Sequence, residues 1–392
     1  MITNTQKRKI KNWPSWPQLG IKEMTAVKRV VKSNQLFANK EVKSFEKEFA
    51  KYNKSKFVKC VGNATQGLHL ALAALNIGLN DEVIVTDYSW ISSASCILMQ
   101  NAKPVFVDIE MDTLGIDPKK IEKYITKKTK AIIFVHLFGN PCKVKEIQKI
   151  AKKHNLFLIE DASHAIGSDI NGKKCGNFSD ISVMSLHQRK NLCAGEGGIV
   201  ISKNKVLDKK IYQLRSFGNK ELSYNYRMTE FAASIARESL KKLDSQNLIR
   251  NKNALYLKEK LNEISGFKIM FPSKNCKSAF HKLAIIYDFK KFKKDIKFFI
   301  KYMNKNNVPL SKAYIPLHHH PNFNPKNIPA RGFPFFYFKN KLNKNYNKQK
   351  FPLTEKLCYK MLAELAIHPP VSKKNIDYFY SKIKKYFLTY KK

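Results

Sequence analysis

The chain has 392 residues, a hydrophobic content of 43% and a formal net charge of +43, from 73 Lys and Arg against 30 Asp and Glu. This apolar content excludes a disordered chain, because it is enough to bury a core. The length allows roughly two or three domains, and we expect two. The excess of basic residues suggests nucleic acid as a possible binding partner. No nucleic-acid-binding motif accompanies the charge, so we favour a solvated basic surface over a nucleic-acid groove.

The cysteines and the N-terminal residues bear on the compartment. Seven cysteines are scattered along the chain with no C-x-x-C pair, a pattern typical of a reduced protein and not of a disulfide or zinc framework. The first twelve residues are basic but no apolar stretch follows them, and no run of about 18 apolar residues occurs anywhere. We therefore expect a cytoplasmic protein with no membrane span.

Between residues 56 and 202, short apolar runs alternate with longer helical patterns. The runs predict strands at 57–60, 82–85, 104–107, 131–135, 157–159, 181–184 and 198–201. Helices are predicted at 65–75, 91–99, 118–125 and 144–154. Several strands lack strict alternation, as strands buried on both faces do, so the pattern indicates a mostly parallel sheet with helices on both sides.

A second region follows this α/β pattern. A helical period runs from about residue 229 to 264 and leads out of the first domain. Beyond Phe267 the composition shifts to Lys, Asn and Phe, which we interpret as a smaller α+β domain interrupted by a Pro- and Asn-rich loop at about 316–350. The predicted division is an N-terminal arm at 1–30, a large domain at 31–250 and a small C-terminal domain at 251–392. The arm should be extended at Trp13-Pro14-Ser15-Trp16-Pro17, because Pro disfavours helix there.

Three segments carry candidate chemistry. Lys190 lies in the segment 185–198, which follows a strand and ends in glycines that allow a tight turn beside a ligand. By position alone Lys190 is an ordinary surface lysine among dozens. Asp161 follows a strand, at the edge where open α/β sheets place ligands, and either caps a loop or pairs with a protonated ring nitrogen. The turn Gly62-Asn63-Ala64-Thr65 precedes a helix whose free N–H groups suit a phosphate, although it is neither a Walker A nor a G-x-G-x-x-G motif.

Six segments occur in an order that, taken together, resembles the DegT/StrS-type sugar aminotransferases over nearly the whole chain. They are Gly62-Asn63-Ala64-Thr65, Asp81-Glu82-Val83-Ile84-Val85, Pro104-Val105-Phe106-Val107-Asp108, Glu160-Asp161-Ala162, the Lys190 segment with its Gly-Glu-Gly-Gly, and Tyr224-Asn225-Tyr226-Arg227-Met228-Thr229-Glu230. The resemblance implies a pyridoxal 5'-phosphate enzyme of fold type I, with a large, mostly parallel α/β domain and a smaller C-terminal α+β domain.

The resemblance also implies roles for individual residues. Lys190 would bind pyridoxal phosphate covalently and later move the substrate proton, for which its amine must be neutral. Asp161 would pair with the pyridinium nitrogen, and His164 would lie near the phenolic oxygen of the ring. Trp90 would stack on the ring, the alternative being a core Trp. The remaining cofactor contacts would come from Ala64, Thr65, Gln66 and Ser185, and from Asn225 of the neighbouring subunit in a homodimer with shared active sites.

The substrate features point two ways. Trp-Pro-x-Trp-Pro, the segment 247–254, and Ile315-Pro316-Leu317-His318 with Pro321, Phe323 and Pro325 resemble the branch that aminates cyclitol ketones with glutamine. His164 and Tyr226-Arg227-Met228 are more like nucleotide-sugar enzymes. We expect a nucleotide-linked keto-sugar or a cyclitol ketone as acceptor, and glutamate or glutamine as donor.

The run His318-His319-His320 has two interpretations. Three consecutive side chains seldom converge on one ion, so we favour a substrate loop, with His318 as the substrate contact, over a metal site, and we predict no metal.

Two alternatives remain. Sugar dehydratases of the same fold replace the covalent Lys with His, and some add an iron-sulfur site, so Lys190 and the scattered cysteines argue against that class. A non-catalytic basic binding protein on the same fold is favoured only by the net charge. The combination of Lys190, Asp161 and His164 argues against it. We therefore predict an aminotransferase of amino-sugar or surface-polysaccharide biosynthesis.

Overall fold

The computed structural model describes residues 13–217, 221–324, 327 and 346–392. The basic residues 1–12, and the part of the Pro- and Asn-rich loop at 325–326 and 328–345, lie outside the described residues.

A seven-stranded sheet forms the centre of the larger part of the molecule, in the order β1-β9-β8-β5-β4-β2-β3. Its strands are β1 (Phe57–Val61), β2 (Glu82–Thr86), β3 (Lys103–Val107), β4 (Thr129–Val135), β5 (Phe157–Asp161), β8 (Ile181–Ser185) and β9 (Gly198–Ser202). The pairs β3-β2, β2-β4, β4-β5 and β5-β8 are parallel, and β9 is antiparallel to both β8 and β1. The structure confirms the predicted mostly parallel sheet and all seven of its strands.

Helices cover both faces of this sheet, as the continuous apolar strands require. They are α1 (Ile21–Ser33), α2 (Lys40–Asn53), α3 (Ala64–Ala74), α4 (Ser92–Met99), α5 (Pro118–Ile121), α6 (Val144–Lys153), α7 (Lys205–Arg215) and α8 (Glu230–Leu261). Asn63 and Thr229 cap α3 and α8, because their side-chain oxygens accept backbone N–H groups of the first turn. The arm is not helical from Trp13 to Pro17, but residues 21–30 of the predicted arm belong to α1, which buries Ala26 and Val30.

The C-terminal part contains a four-stranded antiparallel sheet in the order β10-β12-β14-β13. The strands are β10 (Phe267–Ile269), β12 (Leu283–Tyr287), β13 (Ser311–Lys312) and β14 (Leu362–Leu365), and the helices are α9 (Ile296–Lys305), α10 (Pro352–Lys356) and α11 (Lys373–Tyr390). Phe267, Tyr287, Phe299 and Tyr386 form an aromatic core on this sheet. The division into arm and two domains stays a prediction. Each sheet has an apolar core of its own, and a further buried cluster that includes Val135 of β4 and Ala284 of β12 joins the two sheets.

Two elements connect these parts. Helix α8 buries Ala233 and Ala236 in a core of the large sheet and Ala254 and Leu257 in the core of the C-terminal sheet. A small sheet joins β11 (Cys276–Lys277) to the hairpin of β6 (Asp169–Ile170) and β7 (Lys173–Lys174). None of the helices in the described ranges is long and apolar enough to cross a membrane.

Candidate active site

A cavity of about 800 Å³ opens at the carboxyl ends of β2, β5 and β8 and at the first turn of α3. Parallel strands bring their carboxyl ends to one edge, so residues far apart in sequence meet there. Eight of the nine residues predicted to contact the cofactor line this cavity, namely Ala64, Thr65, Gln66, Trp90, Asp161, His164, Ser185 and Lys190. The ninth, Asn225, does not line it.

The first turn of α3 forms one end of the cavity. Asn63 Oδ1 accepts a hydrogen bond from the Gln66 N–H at 2.9 Å, which leaves the N–H groups of Ala64 and Thr65 without partners inside the helix. Gly198 allows this approach, since a Cβ there would lie 2.7 Å from the Asn63 carbonyl carbon. Free N–H groups at the positive end of a helix dipole suit a phosphate.

Asp161 is the last residue of β5 and is buried. Its Oδ2 accepts a hydrogen bond from Ser93 Oγ at 2.7 Å, and its Oδ1 accepts one from the Ser163 N–H at 3.1 Å. These two bonds fix the direction of the carboxylate. Among the described residues Asp161 forms no ion pair, so its charge is available to a cationic group in the cavity.

His164 presents a neutral ring to the cavity. Burial lowers the pKa of His164 well below its usual range, and the positive charges of Lys190 and Lys282 lower the pKa further. The Nδ1 atom faces the Phe138 N–H at 3.4 Å, so we assign the ring hydrogen to Nε2. A neutral His164 can therefore donate one hydrogen bond to an anionic oxygen.

The pKa of the Lys190 amine is lower than that of an ordinary lysine. Burial lowers the pKa of Lys190 to about 7, and the nearby charge of Lys282 acts in the same direction, whereas Asp161 opposes it. At neutral pH a large fraction of this amine is therefore unprotonated, as a nucleophilic lysine requires.

The C-terminal part supplies a wall of the cavity that the sequence did not indicate. His281 and Lys282, just before β12, and Tyr314, after β13, line it. Lys282 Nζ lies 2.6 Å from a carboxylate oxygen of buried Glu364, and the Tyr314 ring packs edge-on against Trp90 at 5.6 Å. Trp90 is 56% exposed, which excludes the alternative of a core Trp. Lys282 could not have been found by pattern among so many lysines.

His318 does not line the cavity, and the predicted substrate contact needs correction. Its side chain is 0% exposed, and its Nδ1 lies 2.7 Å from Asp87 Oδ2, while its backbone N–H donates to Asp87 Oδ1 at 2.8 Å. His318 therefore anchors the turn at Leu317–His319 to the end of β2. The sequence suggested a contact because it shows residue type but not burial.

Two groups of potential metal ligands occur among the described residues. In the first, His136 bonds to Glu160 through Nε2 and accepts the Cys142 N–H through Nδ1, so both ring nitrogens have protein partners. In the second, His318 Nε2 lies 3.4 Å from Glu355 Oε1, with His319 nearby. Of the three consecutive histidines, only His318 and His319 belong to this group. The absence of a bound metal stays a prediction.

The seven-stranded, mostly parallel sheet with helices on both faces is the fold of the type I aminotransferases. The chain belongs to the DegT/DnrJ/EryC1/StrS aminotransferase family, whose model matches residues 17–384. The chain is 38% identical to the GDP-perosamine synthase of Vibrio cholerae over 52% of this chain and 58% of that protein. It is 31% identical to the L-glutamine:2-deoxy-scyllo-inosose aminotransferase of Streptomyces kanamyceticus over 80% of each. The solved aminotransferase from Psychrobacter cryohalolentis superposes with a TM-score of 0.86 at 27% identity, covering 96% of this chain and 99% of that one.

Proposed function

We propose that this protein is a pyridoxal-phosphate-dependent aminotransferase that moves an amino group from glutamate or glutamine to a ketone on a sugar or cyclitol. The observation that carries the proposal is one cavity that combines a partly neutral lysine, a buried carboxylate that forms no ion pair with the described residues, and a helix N-terminus. These three groups fit an aldehyde, a protonated ring nitrogen and a phosphate. Family membership implies the same cofactor.

The bound cofactor would act as an electron sink for the carbon that loses its proton. Lys190 would anchor it covalently and, once released, carry the proton, because its amine can be neutral near pH 7. Asp161, held by Ser93 and Ser163, would keep the ring nitrogen protonated. His164 would donate its Nε2 hydrogen to the phenolic oxygen. The helix start at Ala64 to Gln66, with Ser185, would hold the phosphate.

The acceptor is proposed as a keto-sugar, nucleotide-linked, or a cyclitol ketone. One relative is named for a GDP-linked amino sugar and another for a cyclitol ketone with glutamine as donor. The cavity volume of about 800 Å³ accommodates the cofactor and a sugar-sized substrate. We place this activity in amino-sugar or polysaccharide biosynthesis in the cytoplasm.

The active unit is proposed as a homodimer in which Asn225 completes the partner's phosphate site. Asn225 is exposed and lies outside the cavity of its own chain. Apolar side chains near it in sequence are also exposed, Phe217 by 59% and Leu222 by 99%, and Arg227 lies against Phe217. An exposed apolar surface of this kind is typical of a protein interface.

The test of the proposed function is the first half-reaction. Purified protein loaded with pyridoxal phosphate is mixed with glutamate, glutamine or, as a control, aspartate, and the absorbance spectrum is followed. We expect glutamate or glutamine to convert the cofactor to pyridoxamine phosphate, with the matching keto acid as product. Failure of the wild-type protein to bind the cofactor, or to react with any amino acid, would contradict the proposal. Ketones are then added to the aminated enzyme to identify the acceptor.

A further inference from the structure

The backbone at Lys190 is held from outside the large sheet. Trp16, in the arm, donates its indole N–H to the Lys190 carbonyl oxygen at 3.1 Å. His368, which follows β14, stacks on the Trp16 ring with centroids 4.6 Å apart and an interplanar angle of 21°. The His368 ring also lies near the Arg189 backbone, which raises the His368 pKa against the larger effect of burial. The stacked pair of rings thus lies against the backbone at Arg189 and Lys190.

Arg250 on helix α8 fixes the orientation of this pair. Its Nε donates to His368 Nδ1 at 3.0 Å, so the remaining ring hydrogen of His368 lies on Nε2. Burial, with the adjacent Arg250 charge, holds the pKa of His368 well below its usual range, so the ring stays neutral. The guanidinium is fully buried, donates to Asn247 Oδ1 at 2.8 Å, and lies 5.1 Å from the Trp16 ring centroid.

The segment around Lys190 contains no helix or strand, and contacts from outside it add to the hydrogen bonds within it. Between β8 and β9 the chain forms irregular turns in which Gly195 and Gly197 take positive φ angles of 84° and 153°. Within the turn, the Lys190 N–H donates to the His187 carbonyl at 2.8 Å. The Lys190 carbonyl is bound from the arm by Trp16, which in turn contacts His368 of the C-terminal part and Arg250 of α8.

We propose that Trp16, His368 and Arg250 form a clamp of positioning residues that holds the Lys190 backbone in place at the cavity wall. The clamp assigns a role to the N-terminal Trp-Pro-Ser-Trp-Pro segment. It rests on the proposed function in that Lys190 is taken as the cofactor anchor. If the clamp is lost, the Lys190 amine can move from the half-buried cavity wall further into water, and its pKa should then rise toward that of an ordinary lysine.

Trp13 provides a matched control in the same arm. Its indole N–H donates to the Ala366 carbonyl at 3.1 Å and its ring packs edge-on against Phe379. Trp13→Phe and Trp16→Phe each keep an aromatic ring and remove one indole-to-carbonyl hydrogen bond. Only Trp16→Phe removes the bond to Lys190.

The experiment measures the Lys190 amine in the protein without cofactor. The apoprotein is treated with trace acetic anhydride at a series of pH values, and acetylation of Lys190 is quantified by peptide mass spectrometry against exposed lysines. We expect the pH midpoint of Lys190 acetylation to rise by about one unit in Trp16→Phe and to stay near the wild-type value in Trp13→Phe. In the loaded enzyme, kcat of Trp16→Phe should fall more than KM changes.

Equal midpoints in the two variants, whether both shifted or both unshifted, would overturn the clamp. His368→Phe keeps the stacked ring but loses both nitrogens, and it should shift the midpoint of Lys190 acetylation in the same direction as Trp16→Phe. It replaces Trp16→Phe in the experiment if that variant does not fold. An unshifted midpoint in folded His368→Phe also contradicts the clamp. Because the labelling uses no cofactor, its outcome is separate from that of the proposed function, which fails if the wild-type protein does not bind pyridoxal phosphate at Lys190.

Discussion

The two walls of the cavity differ in how they act. The wall from the large sheet places Asp161 and Ser185 at strand ends and Thr65 at a helix start, where side chains and N–H groups reach a ligand directly. In the wall from the C-terminal sheet, Lys282 is paired with Glu364 of its own sheet and acts on Lys190 through its charge. Under the proposed function the first wall would supply the reacting and binding groups, and the second would set their electrostatic environment. Substitutions in the first should remove activity, whereas those in the second should shift its pH range.

The largest expected effect comes from Lys190→Ala, which removes the amine and should abolish turnover. Borohydride reduction of the loaded wild-type protein, followed by peptide mapping, should place the pyridoxyl adduct on Lys190. Lys282 lines the same cavity and is the internal comparison. An adduct on Lys282, or on no lysine, would show that the assignment is wrong.

Asp161→Asn should slow proton removal by several orders of magnitude, because the charge opposite the ring nitrogen is lost with little change in volume. Single-turnover reaction with the amino donor measures this rate. Ser93→Ala is the control, since it keeps the charge and removes one hydrogen bond to it, worth about 1.5 to 3 kcal/mol. If proton removal in Asp161→Asn is no slower than in Ser93→Ala, an acidic group other than Asp161 keeps the ring nitrogen protonated.

Asn225→Ala tests the proposed contact between Asn225 of one chain and the phosphate site of its partner, a contact that the cavity of a single chain does not contain. Loss of a hydrogen bond to a charged phosphate should weaken cofactor binding by about 1.5 to 3 kcal/mol, roughly ten- to hundredfold. In a two-fold dimer with shared sites, mixing Lys190→Ala and Asn225→Ala chains puts both defects in one site and leaves the other intact. Partial recovery of activity on mixing is expected. No recovery in verified heterodimers would show that Asn225 does not act across an interface.

The smallest effect is expected from the C-terminal wall. Lys282 lowers the pKa of Lys190, so Lys282→Met should raise that pKa above about 7. Since the neutral amine reacts, the rate of cofactor capture rises with pH through the Lys190 pKa, and the variant's profile should move up by a few tenths to about one pH unit. Stopped-flow absorbance measures the profile. Lys282→Arg keeps the charge and should leave it in place, so equal shifts in both variants would argue against a charge effect.

The sequence by itself determined the parallel sheet and the residues at its edge. Strands buried on both faces appear in the sequence as apolar runs such as 181–184, and the turn after each run marks a position at the carboxyl edge, which made Asp161 a candidate. Position alone did not distinguish Lys190 from the other lysines. The family resemblance, carried by six segments in order along the chain, singled out Lys190 and implied the roles of both residues.

Only the tertiary structure decided which other residues share the cavity and how its charges are set. His318 was expected at the substrate but is fully buried against Asp87, while Lys282, Tyr314 and the Trp16 contact to Lys190 carried no local signal. These contacts join residues that lie 82 or more positions apart in the sequence, and a pattern of residue types along the chain does not encode such contacts. The pKa of Lys190 follows from burial and from neighbouring charges, and both exist only once the chain has folded.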